Sequence, residues 1–163
     1  MRLKICLAAA VFLVCSPPAL HCEDCRVSIF INPLKPFLGL INIGVECQFD
    51  PQYSVHLSAE YAVFRPGYLE RIKHPDFVWS MGVRHYFSPD EPDASGLFSG
   101  ALFGQTARWR EGGKGWEFFI GAELGYRFLL DHSGYISPRG LVSYPLESGK
   151  LLPGAEALFG RVL

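Results

Sequence analysis

Residues 116 to 128, WEFFIGAELGYRF, divide by parity into two unlike sets. Trp116, Phe118, Ile120, Ala122, Leu124, Tyr126 and Phe128 fall on one side; Glu117, Phe119, Gly121, Glu123, Gly125 and Arg127 fall on the other. A period of two is the mark of a strand, because successive side chains leave a pleated backbone on opposite faces. One face is unbroken apolar surface and the other carries every charge. A soluble sandwich has no reason to turn two Glu and an Arg toward its core, whereas the wall of a transmembrane β-barrel sets an apolar face against lipid and a polar face toward its lumen. An edge strand with one solvated face is the plainer alternative. A helix using Gly121 and Gly125 as a GxxxG pair is disfavoured, since a spanning helix needs about 20 apolar residues without internal charge.

The same alternation recurs outward from this stretch. Eight strands are expected, at 26–33, 37–49, 53–65, 77–88, 97–110, 115–129, 135–145 and 152–163. In the second, Phe37, Ile41, Ile43, Val45, Cys47 and Phe49 oppose Asn42, Gly44, Glu46 and Gln48. In the third, Tyr53, Val55, Leu57, Ala59, Tyr61 and Val63 oppose Ser54, His56, Ser58 and Glu60. In the fourth, Phe77, Trp79, Met81, Val83 and Phe87 oppose Ser80, Gly82, Arg84 and Tyr86, and His85 breaks the rule on the apolar side, which suits a position near an interface. The fifth is apolar on both parities, with Gly100, Gly104, Thr106 and Arg108 suggesting its inner face. The seventh contains Pro138, which removes a ladder donor and predicts a bulge or irregularity. The last sets Gly154, Glu156 and Gly160 inward. The expected fold is all-β: an eight-stranded antiparallel up-and-down transmembrane β-barrel spanning 26–163.

Composition agrees with short strands and sharp turns: 17 Gly, 12 Pro and 14% aromatic residues in 163. A formal charge of -1 and the lack of a basic stripe argue against nucleic acid as a partner. Residues 1–22 have the form of an export signal, with Arg2 and Lys4 before an apolar run from 5 to 14 that is too short to span a bilayer. The cleavage point is open, and Cys15 or Cys22 is an alternative site of lipid attachment. Cys22 and Cys25 form a CxxC without the second pair or histidines that a metal centre needs, so a local disulfide is the simpler reading. No cofactor and no metal are expected.

The connections after the odd-numbered strands include RPGYLERIKHPD and REGGKG, while those after strands two, four and six are FDPQY, SPDEPDASG and DHSG, the second longer than the pattern calls for. Longer external loops and shorter periplasmic turns alternate in this way in outer-membrane barrels. The same parity gathers Phe49, Tyr53, Phe87 and Phe128 at the periplasmic end and Phe37, Trp79, Trp109 and Trp116 at the outer end, as two girdles at headgroup depth.

With these strands and an export signal, the chain resembles small outer-membrane β-barrels of the OmpA-transmembrane or OmpW kind. Its segments INPL at 31–34, NIGVE at 42–46, GVRHYF at 82–87, GAELGYRF at 121–128 and LLPGAEALFG at 151–160 are similar to a family of short, uncharacterised bacterial outer-membrane proteins. Where that class ends in alternating aromatic residues, this sequence has Arg161 and Leu163. The resemblance implies a multi-pass barrel in the outer membrane of a Gram-negative-type envelope, with outer-membrane lipid and the barrel assembly machinery as partners.

Inward parity collects Glu46, Glu60, Glu117, Glu123 and Glu156 with Arg84, Arg108, Arg127 and Arg139. An eight-stranded barrel is just filled by side chains, so these groups are expected to interlock as a structural plug. The expected function is a structural or surface-interaction role through external loops, without enzymatic activity. Arg65, Glu70, Arg71, Lys73 and His74 are the loop candidates for an extracellular ligand. A pore or carrier for small, including hydrophobic, solutes is the alternative. A remoter one is a lipid A deacylase, because His56, Ser58 and Glu60 share a strand face and such enzymes carry a His-x-Ser pair.

Overall fold

A computed structural model describes residues 26–63, 75–87, 95–108, 115–130 and 133–163. Eight strands follow in chain order: β1 (Arg26–Ile31), β2 (Leu40–Asp50), β3 (Tyr53–Ala62), β4 (Phe77–Tyr86), β5 (Gly96–Ala107), β6 (Trp116–Leu129), β7 (Gly134–Pro145) and β8 (Leu152–Val162). Each pairs antiparallel with its sequence neighbours, and β1 with β8, so the sheet closes into an up-and-down barrel. Paired residues traced round the wall run from Phe119 through Gly104, Ser80, Ser58, Gly44, Phe30, Gly160 and Tyr135 to Leu129. The circuit thus returns to β6 ten residues further along (119 to 129), the stagger that tilts strands in a closed wall.

The apolar parity faces out. Ile41, Val55, Ile120 and Leu124 are 54%, 41%, 50% and 57% exposed, while Glu60 and Glu123 are 8% and 3% exposed. Strand β6 alternates exposed and inward residues along its whole length, as its sequence requires. The ambiguous β5 follows its glycines: Phe98, Leu102 and Gly104 point inward, Leu97, Ala101 and Phe103 outward.

Inward glycines make room for inward rings. Gly44 stands opposite Phe30, Gly160 opposite Tyr135, Gly125 opposite Phe98 and Gly104 opposite Phe119. A Cβ at any of the four would overlap the ring it faces. Glycine on the polar parity is therefore a packing partner for the large aromatics that fill a narrow lumen.

One local expectation is corrected, and the irregularity expected at Pro138 takes the form of a gap in the ladder. Phe37 does not begin the second strand; it sits in a 3-10 turn, Pro36–Leu38, and is 83% exposed. Pro36 fixes the first dihedral and Gly39, at φ 79, closes the turn with its N–H on the Pro36 carbonyl, so the strand starts at Leu40. Pro138 produces no bulge. The β6–β7 ladder lapses beside it, between the pairs Gly125–Arg139 and Phe128–Ile136, and resumes in the same register, because the missing N–H deletes a bond without adding a residue. The bulge lies instead at the β2–β3 turn, between Gln48 and Asp50.

Aromatic rings band both ends. Phe49 stacks on Tyr53, whose ring meets His85, which meets Phe87, at the end carrying residues 26 and 163. His85 thus lies within a ring cluster near the strand end. At the opposite, loop-bearing end Phe77 meets Trp116 and Trp79 meets Phe103. Trp109 lies outside the described residues, as do residues 1–25.

Candidate functional site

The lumen holds a continuous chain of alternating charges. Glu46 on β2 is its deep hub: Oε1 accepts from Ser54 Oγ (2.6 Å) and Tyr86 Oη (2.9 Å), and Oε2 from Arg84 Nη1 (2.6 Å) and from Arg127 Nη2. Arg84 on β4 then donates through Nε to Glu123 Oε1 on β6 at 2.7 Å. Glu123 also accepts from Arg139 on β7, whose Nη2 reaches Glu156 Oε2 on β8 at 2.7 Å. Glu156 Oε1 lies 3.0 Å from Lys35 Nζ, and Lys35 Nζ lies 2.6 Å from Glu60 Oε2 on β3. Four cations alternate with four carboxylates from Arg127 to Glu60.

Each deep cation is also wedged between rings. The Arg84 guanidinium carbon lies 4.9 Å from the centroid of Phe98 and 6.0 Å from that of Phe30; Arg127 lies 4.3 Å from Tyr135 and 5.1 Å from Tyr86. Flat guanidinium groups suit such slots, since the faces of an arginine stack on rings while its edge donates to carboxylates. Isolated charges here would cost several kcal/mol each, so the pairing is what makes a charged interior tolerable.

Seven of the nine lumen residues expected from sequence join this chain, and two do not. Glu117 lies near the loop end and accepts from the Ser148 N–H at 2.9 Å in an exposed bond. Arg108 follows the last residue of β5, and its Nε has no hydrogen-bond partner. Both lie at the loop-bearing end, Glu117 at the start of β6 and Arg108 just past β5. Their place is taken by Lys35, which strand parity did not find because it precedes the 3-10 turn between β1 and β2 rather than lying on a strand. Burial alone would push the Lys35 ammonium down, but Glu60 and Glu156 outweigh it and its pKa is raised above 10.5. The loop candidates Arg65, Glu70, Arg71, Lys73 and His74 lie outside the described residues.

The His56, Ser58 and Glu60 face does not assemble a nucleophile. Ser58 Oγ bonds to Ser80 Oγ at 2.8 Å, neither ring nitrogen of His56 has a hydrogen-bond partner, and Glu60 binds Lys35. His56 is buried beside the chain, its Nε2 3.8 Å from Glu123 Oε1. Cys47, on the outer face of β2, is disulfide-bonded to a partner outside the described residues.

No protein-family model, curated protein or solved structure matches this chain.

Proposed function

We propose that this chain is an integral outer-membrane β-barrel whose lumen is closed by its own ion pairs, and that it acts as a structural or surface-interaction protein through its loop-bearing end. The carrying observation is the inversion of an ordinary soluble barrel: apolar residues outward, an eight-charge network inward. In hydrocarbon every backbone group must be paired within the protein, which a closed sheet provides and an open one does not. The ring clusters at both ends suit the two headgroup zones, where amphipathic side chains settle. Export past a reducing cytosol fits the bonded state of Cys47. Outer-membrane lipid and the barrel assembly machinery are the partners this reading requires.

The test has two arms. Membranes washed with carbonate or urea should retain the protein, and the detergent-extracted protein should migrate differently on gels before and after boiling. Release by the wash, with no heat-dependent shift, contradicts the membrane assignment. Planar bilayers containing the refolded protein should show no steady conductance. Regular openings would replace the plugged lumen with the pore or carrier reading.

A further inference from the structure

The mouth of the lumen at the loop-bearing end differs from its depth in how its cation is supplied. Lys35 comes from a single 3-10 turn that buries none of its own residues and exposes Leu34, Phe37 and Leu38. The backbone bonds around that turn are mainly its own: Lys35 N to Asn32 O, Leu38 N and Leu40 N to Lys35 O, Gly39 N to Pro36 O. Strand β8 pairs with β1 only from 159 to 162, so its edge from 152 to 158 lies beside this connection and bonds to no strand there. Segments with few buried contacts open at low cost.

The groups that Lys35 engages are by contrast fixed on strands. Glu60 and Glu156 project inward from β3 and β8. Asn42, the cross-strand partner of Glu60 on the same inward face, is 7% exposed, and its Oδ1 has no hydrogen-bond partner. A primary ammonium carries three N–H donors. Lys35 reaches the two carboxylates, and the buried amide oxygen of Asn42 opposite Glu60, unanswered with Lys35 in place, leaves a third acceptor for a ligand amine.

We propose that Glu60, Glu156 and Asn42 form a binding site for a primary ammonium group at the lumen mouth, with Lys35 as its resident, displaceable occupant. A ligand amine competes with Lys35, and the turn swings away when the ligand wins. The site requires only the barrel and its mouth, so it stands apart from the membrane reading.

Lys35→Ala removes three methylenes and the ammonium, which is the composition of propylammonium. The unfolding midpoint of the refolded K35A protein should rise with propylammonium at constant ionic strength, in proportion to the logarithm of its concentration once the site is mostly filled. The trimethyl analogue, which has no N–H, should act at least tenfold more weakly. The double variant K35A/E60Q should lose the response. Dodecylammonium presented in micelles separates the two sources of such a group. A response to propylammonium places the ligand in water at the mouth, and a response confined to dodecylammonium places it among lipids. Should K35A refold poorly, refolding yield with and without each amine serves as the readout. No concentration-dependent rise with either amine, or an equal response to the quaternary analogue, overturns the proposal.

Discussion

The two halves of the charge chain are built differently. The deep half, Arg127, Glu46, Arg84 and Glu123, lies wholly on strands, with side chains at most 3% exposed and both guanidinium groups held between rings. The mouth half ends on Lys35 and Glu60, whose side chains are 16% and 9% exposed, and its last cation hangs from a turn. Burial makes an ion pair unforgiving, because a lost partner leaves a charge that water cannot reach. The deep half should therefore behave as structure and the mouth half as something closer to a contact.

Glu46→Ala tests the contrast most severely, for it strips four donors of one acceptor group. A loss of about 3–5 kcal/mol in the stability of the refolded barrel is expected from urea titration in detergent or lipid, with failure to fold as the extreme. Pairing it with Arg127→Leu should cost less than the sum of the single changes, since the two groups share one bond. A cost for Glu46→Ala no larger than that for Lys35→Ala would erase the distinction between the halves.

Packing beside the deep half comes next. Gly160→Ala places a methyl group against the Tyr135 ring, which also backs Arg127. Overpacking of this kind costs about 1–3 kcal/mol, and the same urea titration reads it. A neutral result would mean that the ring is free to move and that the aromatic slot is not rigid.

Lys35→Ala should be milder, on the order of 1–2 kcal/mol, because its partners are nearer to water and Glu156 retains Arg139. Its pH dependence follows from the raised pKa. A group bound more tightly as the cation contributes its full stability below its ordinary value of 10.5, and loses that contribution as pH climbs through the higher folded value. The stability gap between wild type and K35A should thus hold steady from neutral pH to 10.5 and narrow only beyond it. Narrowing at neutral pH would contradict the ion pairs. Smallest of all, Glu117→Gln should change stability by less than about 0.5 kcal/mol, since its bond to Ser148 is exposed.

Much of this was legible in the sequence because a barrel wall obeys a two-residue period, and parity alone assigns each strand side chain to the inner or the outer face. Glu46, Arg84, Glu123 and Arg127 follow from it directly. What parity does not carry is stagger and what lies off the strands. Glu117 lies at the very start of β6 and Arg108 just beyond the end of β5, so the expected parity holds for neither far enough into the lumen to bring it to the chain. Lys35 has no strand parity, so its arrival in the lumen depends on where the Pro36–Gly39 turn sets the residue before it. The pairing of Gly44, Gly104, Gly125 and Gly160 with rings was hidden for the same reason: each partner is a neighbour across the sheet and distant along the chain.

The direction in which the apolar face points can be measured without disturbing the charges. In a chain whose three native tryptophans are replaced by Phe, a single Trp at Ile120 or Leu124 would be reconstituted into vesicles of acyl-chain-brominated lipid. Strong quenching by the bromine atoms, with no response to aqueous iodide, is the expected result. Emission quenched by iodide and untouched by brominated lipid would contradict the outward, lipid-facing assignment on which the rest depends.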